Sequence, residues 1–390
     1  MIFEAVTFAC CMKVLININL LLNDKAKHHF ILASEAVKEM INTNHEHEHE
    51  FIILTAHKED ELFFSSEKNA TVVFKRMPAR HPLLWKWWHD IKLPAVLKKH
   101  KADVYFSFNG FCSMTTTIPQ CILLHDLSFF YDSSLIKKSH LSFYKKYLPK
   151  FLHKAKTIGY SSLYQKNEII SQYRTSEENM EVIYLFPNEK FHPINENEKE
   201  QTRMKYTDGK NFFLHNIADD NQKNLITLLK AFSLFKKRQK SNWKLVLINE
   251  ADTKNKSFEI LKTYKYRDDV VLLRNLTNEE FVLLTASAYA FVDPFPWNGL
   301  NTGILEAMKC NVPVIVCNET SSKEMTGDVT LYANYNDEKD IADKMMLLYK
   351  DESLRSGLIE KGKTAVAVYS QSETAEKLWH CILKAGNAIN

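Results

Sequence analysis

FVDPFPWNGLNTGILEAMKCNVPVIVC, residues 291–317, holds three local patterns in succession. An apolar run, Ala288–Val292, ends in the loop Pro294–Pro296; Gly299 through Gly303 lead into a stretch with helical spacing; Val312–Val316 is a second β-branched run. Strand, turn, helix, strand is the grammar of a parallel sheet. A turn of this kind leaves the first N–H groups of the helix pointing outward, with the positive end of the helix dipole behind them, and suits a phosphate or diphosphate. Asn301, Thr302 and Gly303 form that terminus, and Glu306, one turn further, can accept two hydroxyls of a ribose or a sugar. On geometry alone the turn is either a nucleotide-sugar site or a ligand-free glycine-containing loop.

The same alternation continues on either side. Towards the N-terminus, Phe212–His215 reads as a strand, followed by a helix that opens near Lys223 and Asn224; Trp243–Ile248 and Val270–Arg274 are strands, Thr253–Tyr266 is mostly helix and Asn278–Ala286 helix. Beyond Cys317 come helices over Asp337–Lys350 and Ser353–Ala367. In the first half Val14–Leu22, Phe51–Leu54, Val104–Ser107, Ile118–Leu124 and Glu181–Leu185 read as strands, with helices over Phe30–Ile41 and up to Tyr173. Repeated β-α units imply parallel strands with right-handed crossovers. Phe186-Pro187, His192-Pro193 and the charged run NENEKEQ mark a linker. The chain divides into 1–193, 194–371 and a closing amphipathic helix within 372–390.

At 390 residues the chain exceeds one ordinary core, so two α/β domains are expected. Hydrophobic content of 45% and charge of 25% exclude a disordered chain. A net charge of +4, with acids among the bases, gives no argument for nucleic acid. Seven cysteines without regular spacing and without a C-x-x-C pair point to a reducing, cytoplasmic setting. No apolar run reaches the roughly 18–20 residues of a membrane span. MIFEAVTFACC lacks a basic n-region, and Met12 before Lys13-Val14-Leu15-Ile16 reads as the natural start.

Three clusters carry further chemistry. His45, His47 and His49 alternate with glutamates and are either metal ligands on one strand face or a charged surface loop. Trp85, Trp87 and Trp88 are core, an acceptor-binding wall, or part of a membrane-facing surface shared with Lys137, Lys138, Lys145, Lys146, Lys150, Lys154 and Lys156. His125 and Asp126 follow the strand Ile118–Leu124, at the end of a parallel strand where open α/β sheets hold ligands.

WNGLNTGILEAMKCNVPVIVCNETSSKEMTGD resembles the donor-site segment of the retaining glycosyltransferases of family four, and ARHP, LPAVLKKHKADV, HDLSF, YLPKFLHKAKTI and FHPI continue the resemblance in order from Met12 onward. The resemblance implies two Rossmann-like domains facing a cleft, the GT-B arrangement, with a closing helix that crosses back to the first domain. It implies transfer of a sugar from a nucleotide-diphosphate donor to a hydroxyl of a glycan or glycolipid, with retention, in cell-surface polysaccharide or lipid-linked oligosaccharide synthesis. By the same resemblance Lys223 contacts the donor diphosphate, Glu306 is the second of two glutamates eight positions apart, His125 lies at the sugar, and Asp126 and Trp85 belong to the acceptor side. No metal or other cofactor is implied, because lysine and backbone dipoles neutralise the leaving diphosphate. The implied location is cytoplasmic, with peripheral contact at the inner membrane face as an addition.

Three features depart from the family pattern. Asn298 stands where the first glutamate is expected, the loop NDKAKHH after the first strand has no glycine, and the glycine after Phe212–His215 is missing. The alternative reading is therefore a transferase-like chain that has lost turnover and binds an active enzyme. Retained Lys223, Glu306 and His125 favour the enzyme.

Overall fold

The computed structural model describes residues 11–386 apart from 20–25, 45–48, 57, 59, 77, 79–80, 125–126, 128–135, 218–221, 241, 250–255, 297–300 and 319–320. Thirteen strands among these residues form two separate sheets. β1 (Lys13–Asn17), β2 (Glu50–Thr55), β3 (Ala70–Phe74), β4 (Val104–Ser107), β5 (Gln120–Leu124), β6 (Thr157–Tyr160) and β7 (Met180–Val182) make the first, in the order β3-β2-β1-β4-β5-β6-β7. The second contains β8 (Phe212–Ile217), β9 (Lys244–Asn249), β10 (Val270–Arg274), β11 (Ala290–Asp293), β12 (Val314–Cys317) and β13 (Leu331–Ala333), in the order β10-β9-β8-β11-β12-β13.

Every pairing in both sheets is parallel. The apolar runs explain this. β12 and β5 are buried along their whole length, and a strand buried on both faces needs helices on both sides of its sheet. Helix starts follow local signals: Asn195 with Glu198 and Thr277 with Glu280 form reciprocal capping boxes before the helices Glu196–Thr207 and Asn278–Ser287.

Several sequence boundaries move. The first strand ends at Asn17 rather than running on to residue 22, because the Asn19 N–H and Nδ2 both donate to Asn17 Oδ1 and turn the chain. The region expected as helix over Thr253–Tyr266 holds a short 3-10 stretch, Lys256–Thr263. β3 and the helix Lys138–Lys154 were not expected at all.

The segment 183–195 is not a solvated tether. Ile183 and Phe186 are buried in the core of the first sheet, while Leu185 and Phe191 are buried in that of the second. The last helix, Gln371–Gly386, leaves the second domain and lies on the first. Ala375, Leu378, Cys381, Ile382 and Ala385 are buried among Val14, Ile16, Val104 and Phe106. Among the described residues no helix is long and apolar enough to cross a membrane.

Candidate active site

In the second sheet β8 and β11 are neighbours, yet the chain leaves β8 towards β9 on one side and β11 towards β12 on the other. The strand order reverses between them, and the carboxyl ends of the strands at such a reversal mark the crevice in which open α/β sheets bind ligands. Two expected donor residues arrive there from adjacent strands. Lys223 stands in the first turn of the helix Gln222–Gln239 that follows β8, and Asn301 caps the helix Thr302–Lys309 that follows β11.

Asn301 is held on both sides. Its Nδ2 donates to Asp293 at the end of β11, and its Oδ1 accepts the Gly303 N–H at 3.1 Å. Ile304 N–H donates to the Asn301 carbonyl at 3.2 Å. Part of the outward-pointing N–H set expected to meet phosphate is thus capped from within the chain, which shifts the weight of diphosphate neutralisation towards Lys223. Gly303 has a packing role as well: a Cβ there would lie 3.2 Å from Asn301 Oδ1 and 3.4 Å from the Phe291 ring. Thr302 is buried beside it.

Lys223 Nζ donates to Asn336 Oδ1 at 3.0 Å, in the loop between β13 and the helix Glu338–Lys350. The contact is exposed, so the ammonium is at the protein surface. Glu306 is buried, and its Oε1 accepts the Asn188 backbone N–H at 3.5 Å. One turn on, Lys309 pairs with Glu189 at 2.8 Å. The helix carrying Glu306 is therefore fastened along the crossover segment between the domains. Burial, with the Glu306 charge next, pushes the Cys310 thiol up to about 12, so it stays protonated and inert.

His215 on β8 and Asp293 at the end of β11 are buried where the strand order reverses, and neither was singled out from sequence. His215 Nδ1 lies 2.8 Å from the Val292 carbonyl, and burial pushes the imidazole down to about 4. The ring is neutral at pH 7 and Nδ1–H donates to that carbonyl, tying β8 to the end of β11. An acid at the end of an apolar strand, directly before Pro294, was the available signal for Asp293.

The first sheet reverses order between β1 and β4. There Asn17 Nδ2 donates to Tyr105 Oη at 2.9 Å and Ser107 Oγ to Asn109 Oδ1 at 2.6 Å, a buried polar seam also missed from sequence. His125, Asp126 and Asn298 lie outside the described residues, as do Asn23, Asp24 and Lys25 of the glycine-free loop, whose remaining residues already belong to the helix Ala26–Thr43. His45 and His47 do too; His49 is buried, accepting the Met12 N–H at 3.2 Å with its ring 4.9 Å from Trp379. Trp85 corrects the sequence expectation. It is wholly buried, packed on Phe111, His140 and Phe143, and offers no surface to an acceptor. Trp88 is also buried, whereas Trp87 is exposed.

Two parallel-stranded Rossmann-like domains with a last helix returned to the first define the GT-B class of glycosyltransferases. Residues 33–188 match the family described as Glycosyltransferase Family 4, and residues 196–365 match Glycosyl transferases group 1. Between them the two matches take in most of the chain, which belongs to these family-four, group 1 glycosyltransferases. It is 25% identical over 297 residues to O-antigen chain mannosyltransferase B of Escherichia coli, covering 75% of this chain and 77% of that protein. It is 29% identical over 234 residues to the O-antigen chain mannosyltransferase RfbU of Salmonella typhimurium, covering 58% and 61%. Among solved structures, Alr3699/HepE of Anabaena, bound to UDP and glucose, superposes with a TM-score of 0.71 over 95% of this chain and 98% of that one, at 13% identity. That likeness is one of fold.

Proposed function

We propose that this chain is an active hexosyltransferase-type enzyme. It moves a sugar from a nucleoside-diphosphate donor to a hydroxyl of a growing glycan or lipid-linked oligosaccharide, with retention at the anomeric carbon, on the cytoplasmic side of a membrane. The observation that carries the reading is that Lys223 and the Asn301-capped helix follow the neighbouring strands β8 and β11, one on each side of the reversal in strand order. The O-antigen mannosyltransferases among its relatives support a polysaccharide acceptor and put mannosyl donors first among those to test.

The transition state for such transfer resembles an oxocarbenium ion parting from a diphosphate. Catalysis then depends on neutralising the diphosphate and on holding donor and acceptor in line. Lys223 supplies a mobile positive charge that needs no rigid fork. The helix dipole adds to it, and the two together stand in for a divalent cation. Glu306 accepts the ribose hydroxyls; its burial and its backbone partner at Asn188 fix the direction of the carboxylate. His125 holds the transferred sugar from the first domain, and Asn298 contacts the same sugar with an amide that both donates and accepts but brings no charge.

The test is nucleotide release from a panel of UDP- and GDP-sugars, with and without crude glycolipid acceptor. Slow release from one donor, accelerated by acceptor, is the expected result. Silence across the panel, with no thermal shift from any nucleotide, would overturn the proposal.

A further inference from the structure

The largest exposed apolar surface in a single run of described chain lies far in sequence from the crevice. Leu83 is 64% exposed, Leu84 45%, Trp87 44% and Ile91 57%, all within nine residues. Leu83, Trp87 and Ile91 are spaced four apart along the helix Pro82–Trp87 and the wider π-turn Trp88–Lys92 that continues it. The opposite side of the same run is firmly anchored, since Trp85, Trp88 and His89 are buried. A rigid helix therefore holds four large apolar side chains in water, a costly arrangement that marks an interaction surface.

The charge around this ridge is one-sided. Residues 81–101 hold five lysines and a single acid, Asp90, and residues 137–156 hold seven lysines and no acid, in a chain whose remaining residues carry more acids than bases. The two segments are packed together: the Trp85 ring lies 5.5 Å from that of Phe143, and Lys86, Lys146 and Lys150 all gather over the Tyr147 ring at 5.5–5.8 Å. Lys92 lies over Trp87 itself, 5.1 Å from its centroid. Lys86 pairs with Asp90; among the described residues none of the other eleven lysines joins an ion pair. Elsewhere on the molecule lysines commonly have carboxylate partners, as Lys205 has Glu280 and Lys236 has Asp269.

We propose that Leu83, Leu84, Trp87 and Ile91 insert into the surface of an anionic lipid bilayer, with Lys92, Lys146 and Lys150 on its headgroups. An apolar ridge suits the boundary of acyl chains and headgroups, tryptophan prefers that depth, and unpaired lysines beside it gain from a negative surface potential. A protein partner would have to be as acidic as this face is basic, and a second copy of the chain would bring lysine against lysine. The surface is an in-plane anchor rather than a span. It rests on the proposed function only for the reason a bilayer is useful, namely a lipid-borne acceptor.

Co-sedimentation of the full chain with vesicles tests this without donor, acceptor or turnover, so a protein that binds vesicles but releases no nucleotide would sink only the enzymatic reading. Binding to vesicles rich in phosphatidylglycerol, little binding to pure phosphatidylcholine, and weakening by salt are expected. Leu83→Ser/Trp87→Ser/Ile91→Ser and, separately, Lys146→Glu/Lys150→Glu should each lower partitioning by about tenfold or more. The altered positions are exposed, and an unchanged melting temperature certifies the fold. Wild-type protein left in the supernatant, or an apolar triple variant that sediments undiminished, would overturn the proposal. So would a wild-type dimer that becomes a monomer in the triple variant, since a second copy would then be the occupant.

Discussion

The Tyr184 hydroxyl, on the crossover segment, donates to Glu324 Oε1 at 2.6 Å, and the same carboxylate accepts the Leu163 and Tyr164 N–H groups at 2.8 and 3.2 Å. Glu324 belongs to the helix Ser321–Thr326 of the second domain, while Leu163 opens the helix Leu163–Tyr173 of the first. A carboxylate of one domain thus stands at the positive end of a helix of the other, where the dipole and free N–H groups favour it. Burial, then the bond to Glu324, holds the Tyr184 phenol well above its usual range, so it remains a donor.

Glu324→Ala removes a charged acceptor of three hydrogen bonds across the domain boundary. A loss of about 2 kcal/mol is expected in chemical denaturation, and Tyr184→Phe should lose about 1 kcal/mol. The double variant should fall short of the sum, since both changes break one shared bond. Additive losses would separate the two residues energetically.

Glu306→Ala should raise the dissociation constant of the nucleoside diphosphate by roughly tenfold to a hundredfold, the worth of a charge-assisted hydrogen bond. Calorimetric titration measures it. Asn298→Glu, which restores the charge that the family pattern carries, should alter the ranking of donor sugars more than nucleotide affinity. Unchanged nucleotide binding after the first substitution would move the donor site away from the helix Thr302–Lys309.

Lys223→Ala acts through an exposed charge, so its effect should be smaller, about a fivefold weaker diphosphate affinity, and should shrink in high salt. Binding of the free nucleoside, which lacks phosphates, should be untouched. A nucleoside that loses affinity equally would mean that Lys223 supports the fold of the crevice rather than the diphosphate.

His215 and His89 are both buried and pushed down to about 4, against an ordinary value of 6.5. Between these values the unfolded chain binds protons that the folded chain refuses, so stability is full above about pH 6.5 and declines as pH falls towards 4. The decline should amount to a few kcal/mol and appear as a falling melting temperature across that window. His215→Asn should flatten part of the slope; an unaltered slope would assign it to other groups.

The sheets were legible because parallel strands buried on both faces are continuous apolar runs, and Phe291–Cys317 contains two of them around one helix. β3 escaped notice because it is a short edge strand with only partial burial. The helix Lys138–Lys154 was hidden by Pro149 in its interior and by its lysines, although Phe143, Tyr144, Leu148, Phe151 and Leu152 have helical spacing. Three nearby tryptophans look alike in sequence, and only the helical phase separates buried Trp85 from exposed Trp87. Asn301 and Glu306 were singled out from the strand-turn-helix pattern and Lys223 from the family resemblance, all three on helices that follow strands of the second sheet. Glu324 could not, because its partners are about 160 residues away and no local pattern encodes a contact between domains.

The closing helix also sets an order of assembly during synthesis. Ala375, Leu378, Cys381, Ile382 and Ala385 fill the core beneath β1 and β4, so the domain translated first cannot seal its interior until residues at the far end of the chain have left the ribosome. The second domain, whose described strands all lie between Phe212 and Ala333, has that sheet complete before then. Nascent first-domain surface must stay uncovered through the whole translation of the second, and ribosomes stalled before Gln371 release a chain with an open greasy furrow for chaperones or proteases to find.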